Sequence, residues 1–97
     1  METEEIYKKI VMYYDIIDKI RAEILKHQHL DDRDKFQTLI PVADDLQKEV
    51  DTLMEKYVLF SKDTTNESMK NEILAILKNI LDIVYNYKNI VYDLYNK

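Results

Sequence analysis

The residues most able to carry chemistry are two histidines and the aspartates that follow them. His27 and His29 lie within the stretch 26–32, close to Asp31 and Asp32. Two imidazoles and a carboxylate form a donor set that suits zinc and related metals. However, residues two apart point to different sides of a helix, and no second ligand pair recurs elsewhere at a matching spacing. The pattern therefore favours a polar helix end, where histidine complements the helix dipole, over a metal site.

Other kinds of reactive site also lack residues that they need. A phosphotransfer histidine would lie exposed in the middle of a helix, whereas both histidines here lie at a predicted helix end. A carboxylate-bridged di-metal bundle needs Glu-x-x-His pairs, and no glutamate in this chain has a histidine three residues on. Ser61 and Ser68 have no histidine near them in sequence to act as a base. We therefore expect no catalytic residues, no cofactor and no metal, and a protein that is not an enzyme.

Composition excludes further functional classes. The chain has no glycine, where average usage would give about seven in a chain this long. Glycine-rich phosphate loops and dinucleotide turns depend on glycine backbones, so those classes of nucleotide-binding enzyme are excluded. The net charge of −5 argues against a binder of nucleic acid or of anionic membranes. Because no stretch is apolar enough to span a membrane and the acidic N-terminus has no signal-like apolar region, we expect a cytoplasmic protein.

Three segments carry apolar residues at alternating spacings of three and four, which is typical of amphipathic helices. These stripes run from Ile6 to Ile24, from Phe36 to Phe60, and from Ile73 to Leu94. Long helices with short connections favour antiparallel neighbours. We therefore predict an all-α, up-down-up antiparallel three-helix bundle that forms a single domain over residues 1–97. Its predicted helices are about 3–28, 38–60 and 64–96, the third being the longest.

The connections contain helix start signals. Pro41 is tolerated if the second helix begins near Thr38, and it would kink that helix if the helix began near Asp34. Thr64 and Glu67 have the spacing of a capping box and predict the start of the third helix.

The third predicted helix has a second apolar stripe beside the first. Its members are Leu74, Leu77, Leu81, Val84, Val91 and Tyr95, and Lys88 interrupts it. Two stripes roughly 100° apart make a face wide enough to contact two other helices. Such a face suits the third member of a monomeric bundle. It equally suits a homodimer through the third helix, and both alternatives stay open.

The outer face of the third helix is the best candidate for a binding surface. Asparagine and aspartate recur along it at three-four spacing although they are weak helix formers, and tyrosines flank them. Tyrosine and asparagine together provide rigid amphipathic area and adaptable hydrogen bonds, as recognition surfaces do. An alternative is that an AT-rich genome enriches these residue types without selection. The predicted partner-binding residues are Tyr85, Asn86, Asn89, Tyr92, Asp93 and Asn96.

These features favour a non-enzymatic interaction module, a small helical adaptor or chaperone that binds a segment of a partner protein. Flagellar and type III export chaperones and bacteriocin immunity proteins are small acidic helical bundles too, a similarity of architecture and size alone. The alternative is an acidic inhibitor or nucleic-acid mimic from a mobile element. Its candidate acidic row, which basic neighbours dilute, comprises Asp31, Asp32, Asp34, Asp44 and Asp45. In both hypotheses the partner is another protein, not nucleic acid or membrane.

Overall fold

The structure is a computed structural model of the protein and describes residues 3–96. Its helices are α1 (Thr3–Lys26), α2 (Arg33–Phe36), α3 (Leu39–Lys62) and α4 (Glu67–Tyr95). The three long helices pack into a rod with extents of 52 × 18 × 17 Å, and α2 is a single turn between α1 and α3. The predicted all-α three-helix bundle is confirmed, and its third long helix, α4, is the longest. Among the described residues, no helix combines the length and the apolarity needed to cross a membrane.

Contacts between side chains of different helices define the up-down-up topology. The Tyr14 hydroxyl of α1 donates to the Asp51 carboxylate of α3 at 2.7 Å. Arg21, further along α1, meets Asp44 at 3.4 Å, so residue numbers rise on α1 as they fall on α3. The closest backbone approaches of α3 are to α1 and to α4. Lys56 near the end of α3 lies 3.2 Å from Glu72 near the start of α4, so α3 runs antiparallel to α4 as well.

The predicted stripes form the hydrophobic core. Isoleucine dominates the buried positions of α1, and leucine and valine those of α3, at the three-four spacing that places them on one helix face. In α4 the buried residues are Ile73, Leu77, Ile80 and Val84. Beyond them, Tyr87, Ile90 and Leu94 are only partly buried. The C-terminal part of α4 is therefore less completely covered by the bundle than the preceding part.

Pro41 lies in the first turn of its helix. Helix α3 begins at Leu39, so Pro41 is its third residue. Amides of the first turn have no intrahelical carbonyl partner, and the missing N–H of proline therefore costs no helical hydrogen bond. The short α2 ends at Phe36, ahead of this start, so Pro41 lies in the first turn of the second long helix and does not kink it.

The N-cap of α4 differs from the predicted one. Asn66 is the cap, and its side-chain oxygen accepts a hydrogen bond from the backbone N–H of Met69 at 3.0 Å. Thr64 lies two residues earlier, outside the helix, so the capping box predicted from Thr64 and Glu67 is wrong. Asparagine caps helices at least as well as threonine does, and here it stands directly before the first helical residue.

Replacing Asn66 with alanine is expected to lower the free energy of unfolding by about 1 kcal/mol, because the amide of Met69 loses its acceptor. Urea unfolding followed by circular dichroism measures this change. Thr64→Ala is the matched control and is expected to stay within about 0.5 kcal/mol of the wild type. A larger loss for Thr64→Ala than for Asn66→Ala would restore Thr64 as the cap.

Candidate functional site: the outward face of α4 and the histidine at the end of the bundle

The six residues predicted to bind a partner lie together on the surface of the C-terminal part of α4. All six are exposed, and the two tyrosines are the most exposed of the large apolar side chains on this helix, Tyr85 at 65% and Tyr92 at 67%. We call this set the Asn/Tyr face; its members are Tyr85, Asn86, Asn89, Tyr92, Asp93 and Asn96.

One member of the Asn/Tyr face has a structural role. Asn96 follows the last residue of α4, and its side-chain amide donates to the Tyr92 carbonyl at 2.7 Å. The same carbonyl also accepts from the Asn96 backbone N–H at 3.1 Å, so the side chain adds a second donor at the end of the helix. Within residues 3–96, the side chains of Asn86, Asn89 and Asp93 form no hydrogen bond or ion pair with the rest of the chain. Those three polar groups remain available to an external partner.

A line of exposed apolar side chains shares Tyr85 and Tyr92 with the Asn/Tyr face and extends beyond them along α4. Leu74 and Leu81 remain 41% and 48% exposed, whereas Leu77 and Val84 of the same predicted second stripe are buried. The exposed leucines share their side of α4 with Tyr85 and Tyr92, since the spacings of seven and four return to one helix face. We call the whole line, including the two lysines within it and the tyrosine that follows, the outer stripe. Its members are Leu74, Lys78, Leu81, Tyr85, Lys88, Tyr92 and Tyr95.

The second apolar stripe predicted on α4 combines exposed leucines of the outer stripe with buried residues. Leu74 and Leu77 differ by three positions, and the two leucine lines are therefore close together around the helix. Burial separates them because α1 and α3 cover only one side of α4. The alternating spacing of the outer stripe was visible in the sequence and could have identified it as a separate line.

His27 is buried at the end of the bundle, with only 6% of its surface exposed. Its Nδ1 lies 2.8 Å from an Asp32 oxygen, and its Nε2 lies 3.3 Å from the Tyr95 hydroxyl. Its ring stacks on Phe36 with centroids 3.5 Å apart and planes 4° from parallel. In the neutral tautomer that satisfies both contacts, Nδ1–H donates to Asp32 and Nε2 accepts from Tyr95. His27 thus ties the end of α1 to α2 and to the end of α4.

The two carboxylates near His27 lie at opposite nitrogens of its ring. Asp32 lies at one ring nitrogen, and Glu23 lies 3.5 Å from the other. The two carboxylates therefore do not converge on a common point, and Phe36 covers the face of the ring. Among residues 3–96, no group of three or more candidate ligands could hold a metal ion. His29 is exposed, so the structure separates the two histidines that the sequence placed together.

Two partly buried tyrosines keep their hydroxyl protons at neutral pH. Burial raises the pKa of Tyr14 to about 12, and the hydrogen bond to Asp51 and its negative charge add to the effect. Burial, and then the charge of Glu23, raise the pKa of Tyr87. Neither phenol is a candidate base, and Tyr14 acts as a hydrogen-bond donor between α1 and α3.

The acidic row proposed for a nucleic-acid mimic is partly engaged within the chain. Asp32 contacts His27, Asp34 lies 3.6 Å from Arg33, and Asp44 lies 3.4 Å from Arg21. Asp31 and Asp45 are exposed. Three of the five carboxylates in the row therefore contact other side chains of this chain.

By its fold the protein is a small antiparallel helical bundle, and the other helices cover only one side of its longest helix. Comparisons with protein-family models, with curated proteins and with solved structures gave no match. What the protein does is therefore inferred from its own residues.

Proposed function

We propose that the protein is a non-enzymatic interaction module that binds another protein through the exposed side of α4, which carries the Asn/Tyr face and the outer stripe. The observation that carries this proposal is the exposure of Tyr85 and Tyr92 beside Leu81 on one helix face. Tyrosine contributes strongly to binding energy at protein interfaces, and contiguous exposed apolar area often marks such an interface.

The neighbouring side chains favour a protein partner. Asn86 and Asn89 offer both hydrogen-bond donors and acceptors without the desolvation cost of a full charge. A nucleic-acid partner would need clustered lysine and arginine, whereas Lys78 and Lys88 are ten positions apart on this helix and Asp82 lies one turn from Lys78. An apolar line bordered by amides is suited to another helix or an extended peptide segment.

The more specific role of an adaptor or chaperone stays a prediction. An adaptor or chaperone that holds a partner segment would use a long helix with one uncovered face, and α4, with 29 residues, spans about 43 Å at 1.5 Å per residue. The cytoplasmic location expected from the sequence also stays a prediction.

A capture experiment in the cells that produce the protein tests the proposal. The double variant Tyr85→Ala/Tyr92→Ala is expected to reduce recovery of a specific partner by about tenfold or more, since truncating an interface tyrosine commonly costs over 1 kcal/mol. The matched control is Leu25→Ala/Leu59→Ala, which truncates exposed apolar side chains on α1 and α3. It is expected to leave recovery unchanged.

Equal recovery with both double variants would contradict the proposal. A partner that is instead lost when Asp31, Asp44 and Asp45 are changed to asparagine would support the acidic-mimic alternative. In that case the complex would also weaken steeply with added salt.

A further inference from the structure

We propose that the outer stripe of α4 binds the same stripe of a second copy of this chain, with the two helices antiparallel. The inference rests on the proposed function, because it names the partner of the same face. It requires that the stripe be accessible and that it match itself in a defined register.

Accessibility follows from the fold. Leu74, Leu81, Tyr85, Tyr92 and Tyr95 are 41–67% exposed, and the buried residues of α4 lie on a neighbouring part of the helix surface. The Tyr95 hydroxyl contacts His27 and its ring packs against Phe36, so only the exposed part of Tyr95 can meet a second helix. A second helix can therefore approach the stripe without displacing α1 or α3. The three-four spacing of the stripe is that of a coiled-coil seam, which keeps facing a partner helix along its length.

One antiparallel register places every lysine of the stripe opposite a tyrosine. In this register Lys78 faces Tyr95 of the second copy, Leu81 faces Tyr92, and Tyr85 faces Lys88. The two-fold axis repeats each pair, so six layers form from one surface. A lysine ammonium over a tyrosine ring gains a cation–π attraction, and the lysine stem covers apolar area.

The competing registers are less favourable. A parallel pair in register would place Lys78 on Lys78 and Lys88 on Lys88. An antiparallel pair shifted by seven residues toward the N-terminus would place Lys78 opposite Lys88, again bringing like charges together. The opposite shift by seven would form four layers and leave Leu81 without a partner. Larger shifts form fewer layers and leave either Leu81 or Tyr92 without a partner. Charge and apolar matching therefore select the one register.

Polar side chains beside the stripe complete the interface. Asn86, Asn89 and Asp93 border it on one side and would form the polar rim that surrounds an interface core. The paired segment, residues 78–95, is about 26 Å long at the helical rise. A contact of this length lies at the small end of specific interfaces, so the dimer should depend on protein concentration.

Sedimentation velocity of the full chain over a wide concentration range tests the inference. The wild type is expected to shift from the mass of one chain to that of two as concentration rises. Tyr85→Lys places a lysine opposite Lys88 in two layers and is expected to weaken the dimer by about tenfold or more. The matched control, Leu59→Lys, adds a lysine at an exposed leucine on α3 and is expected to leave the dimer unchanged. Circular dichroism verifies that each variant is folded.

Tyr85→Glu tests the register. The antiparallel register places this glutamate opposite Lys88, so the dimer is expected to persist, whereas parallel helices would place glutamate on glutamate and separate. Loss of the dimer in Tyr85→Glu would overturn the register.

A wild type that stays monomeric, or a dimer that Tyr85→Lys leaves unchanged, would overturn the self-pairing. If a monomeric chain still captures another protein through Tyr85 and Tyr92, the proposed function stands and only the second copy is excluded.

Discussion

Replacing Leu53 with alanine is expected to lower the free energy of unfolding by about 2–5 kcal/mol, the range for deleting a fully buried leucine side chain. Leu53 is completely buried on α3, the helix that packs against both of the others, so a cavity there affects both interfaces. Domains of this kind have a total stability of about 5–15 kcal/mol. The variant should therefore unfold at a clearly lower urea concentration and with an unchanged slope.

Leu59→Ala is the control for that substitution. Leu59 lies six residues further along the same helix and is 51% exposed, so its truncation is expected to cost less than about 1 kcal/mol. Equal losses for the two variants would show that the stripe containing Leu53 is not the core of the bundle.

Replacing His27 with alanine is expected to lower the free energy of unfolding by about 1.5–4.5 kcal/mol. The change removes the hydrogen-bond partner of Asp32 and of the Tyr95 hydroxyl, for which about 1–3 kcal/mol is typical. It also removes a ring stacked on Phe36, which adds about 0.5–1.5 kcal/mol. Urea unfolding measures the loss, and the end of α4 should become more open to amide hydrogen exchange because Tyr95 loses its anchor.

His29 offers a control of the same residue type two positions away. It is exposed, and His29→Ala is expected to change the free energy of unfolding by no more than about 0.5 kcal/mol. If His27→Ala were equally harmless, the contacts of His27 would contribute nothing net to stability.

The fold could be predicted from the sequence because helical periodicity is a local property. Isoleucines of α1 such as Ile10 and Ile17 repeat at intervals that only a helix places on one face. The ends of the helices were less predictable, since Asn66 and Thr64 are both good caps and the spacing of Glu67 favoured the wrong one. The sequence of α4 does not show which of its two adjacent leucine lines is buried, because that depends on where α1 and α3 lie against it.

The candidate sites could be predicted to different extents for the same reason, because the sequence shows local spacing but not contacts between distant residues. Exposure of Tyr85 and Tyr92 was predicted from their spacing on one helix, and the structure places both at the surface. The burial of His27 was missed, because one of its partners, Tyr95, is 68 residues away in sequence. A histidine at a helix end gives no local signal that a distant helix will cover it. Only the position of Phe36 at the start of the second stripe indicated that this end of the bundle is apolar.

The most direct measurement of the central claim is site-specific photocrosslinking in the cells that produce the protein. A photoreactive phenylalanine analogue would replace Asn89 on the Asn/Tyr face in one variant and Asp18, which is exposed on α1, in another. Illumination is expected to give a discrete covalent adduct from position 89, either with another protein or with a second copy of the chain, and none from position 18. An adduct from position 18 and none from position 89 would contradict the assignment of α4 as the binding face.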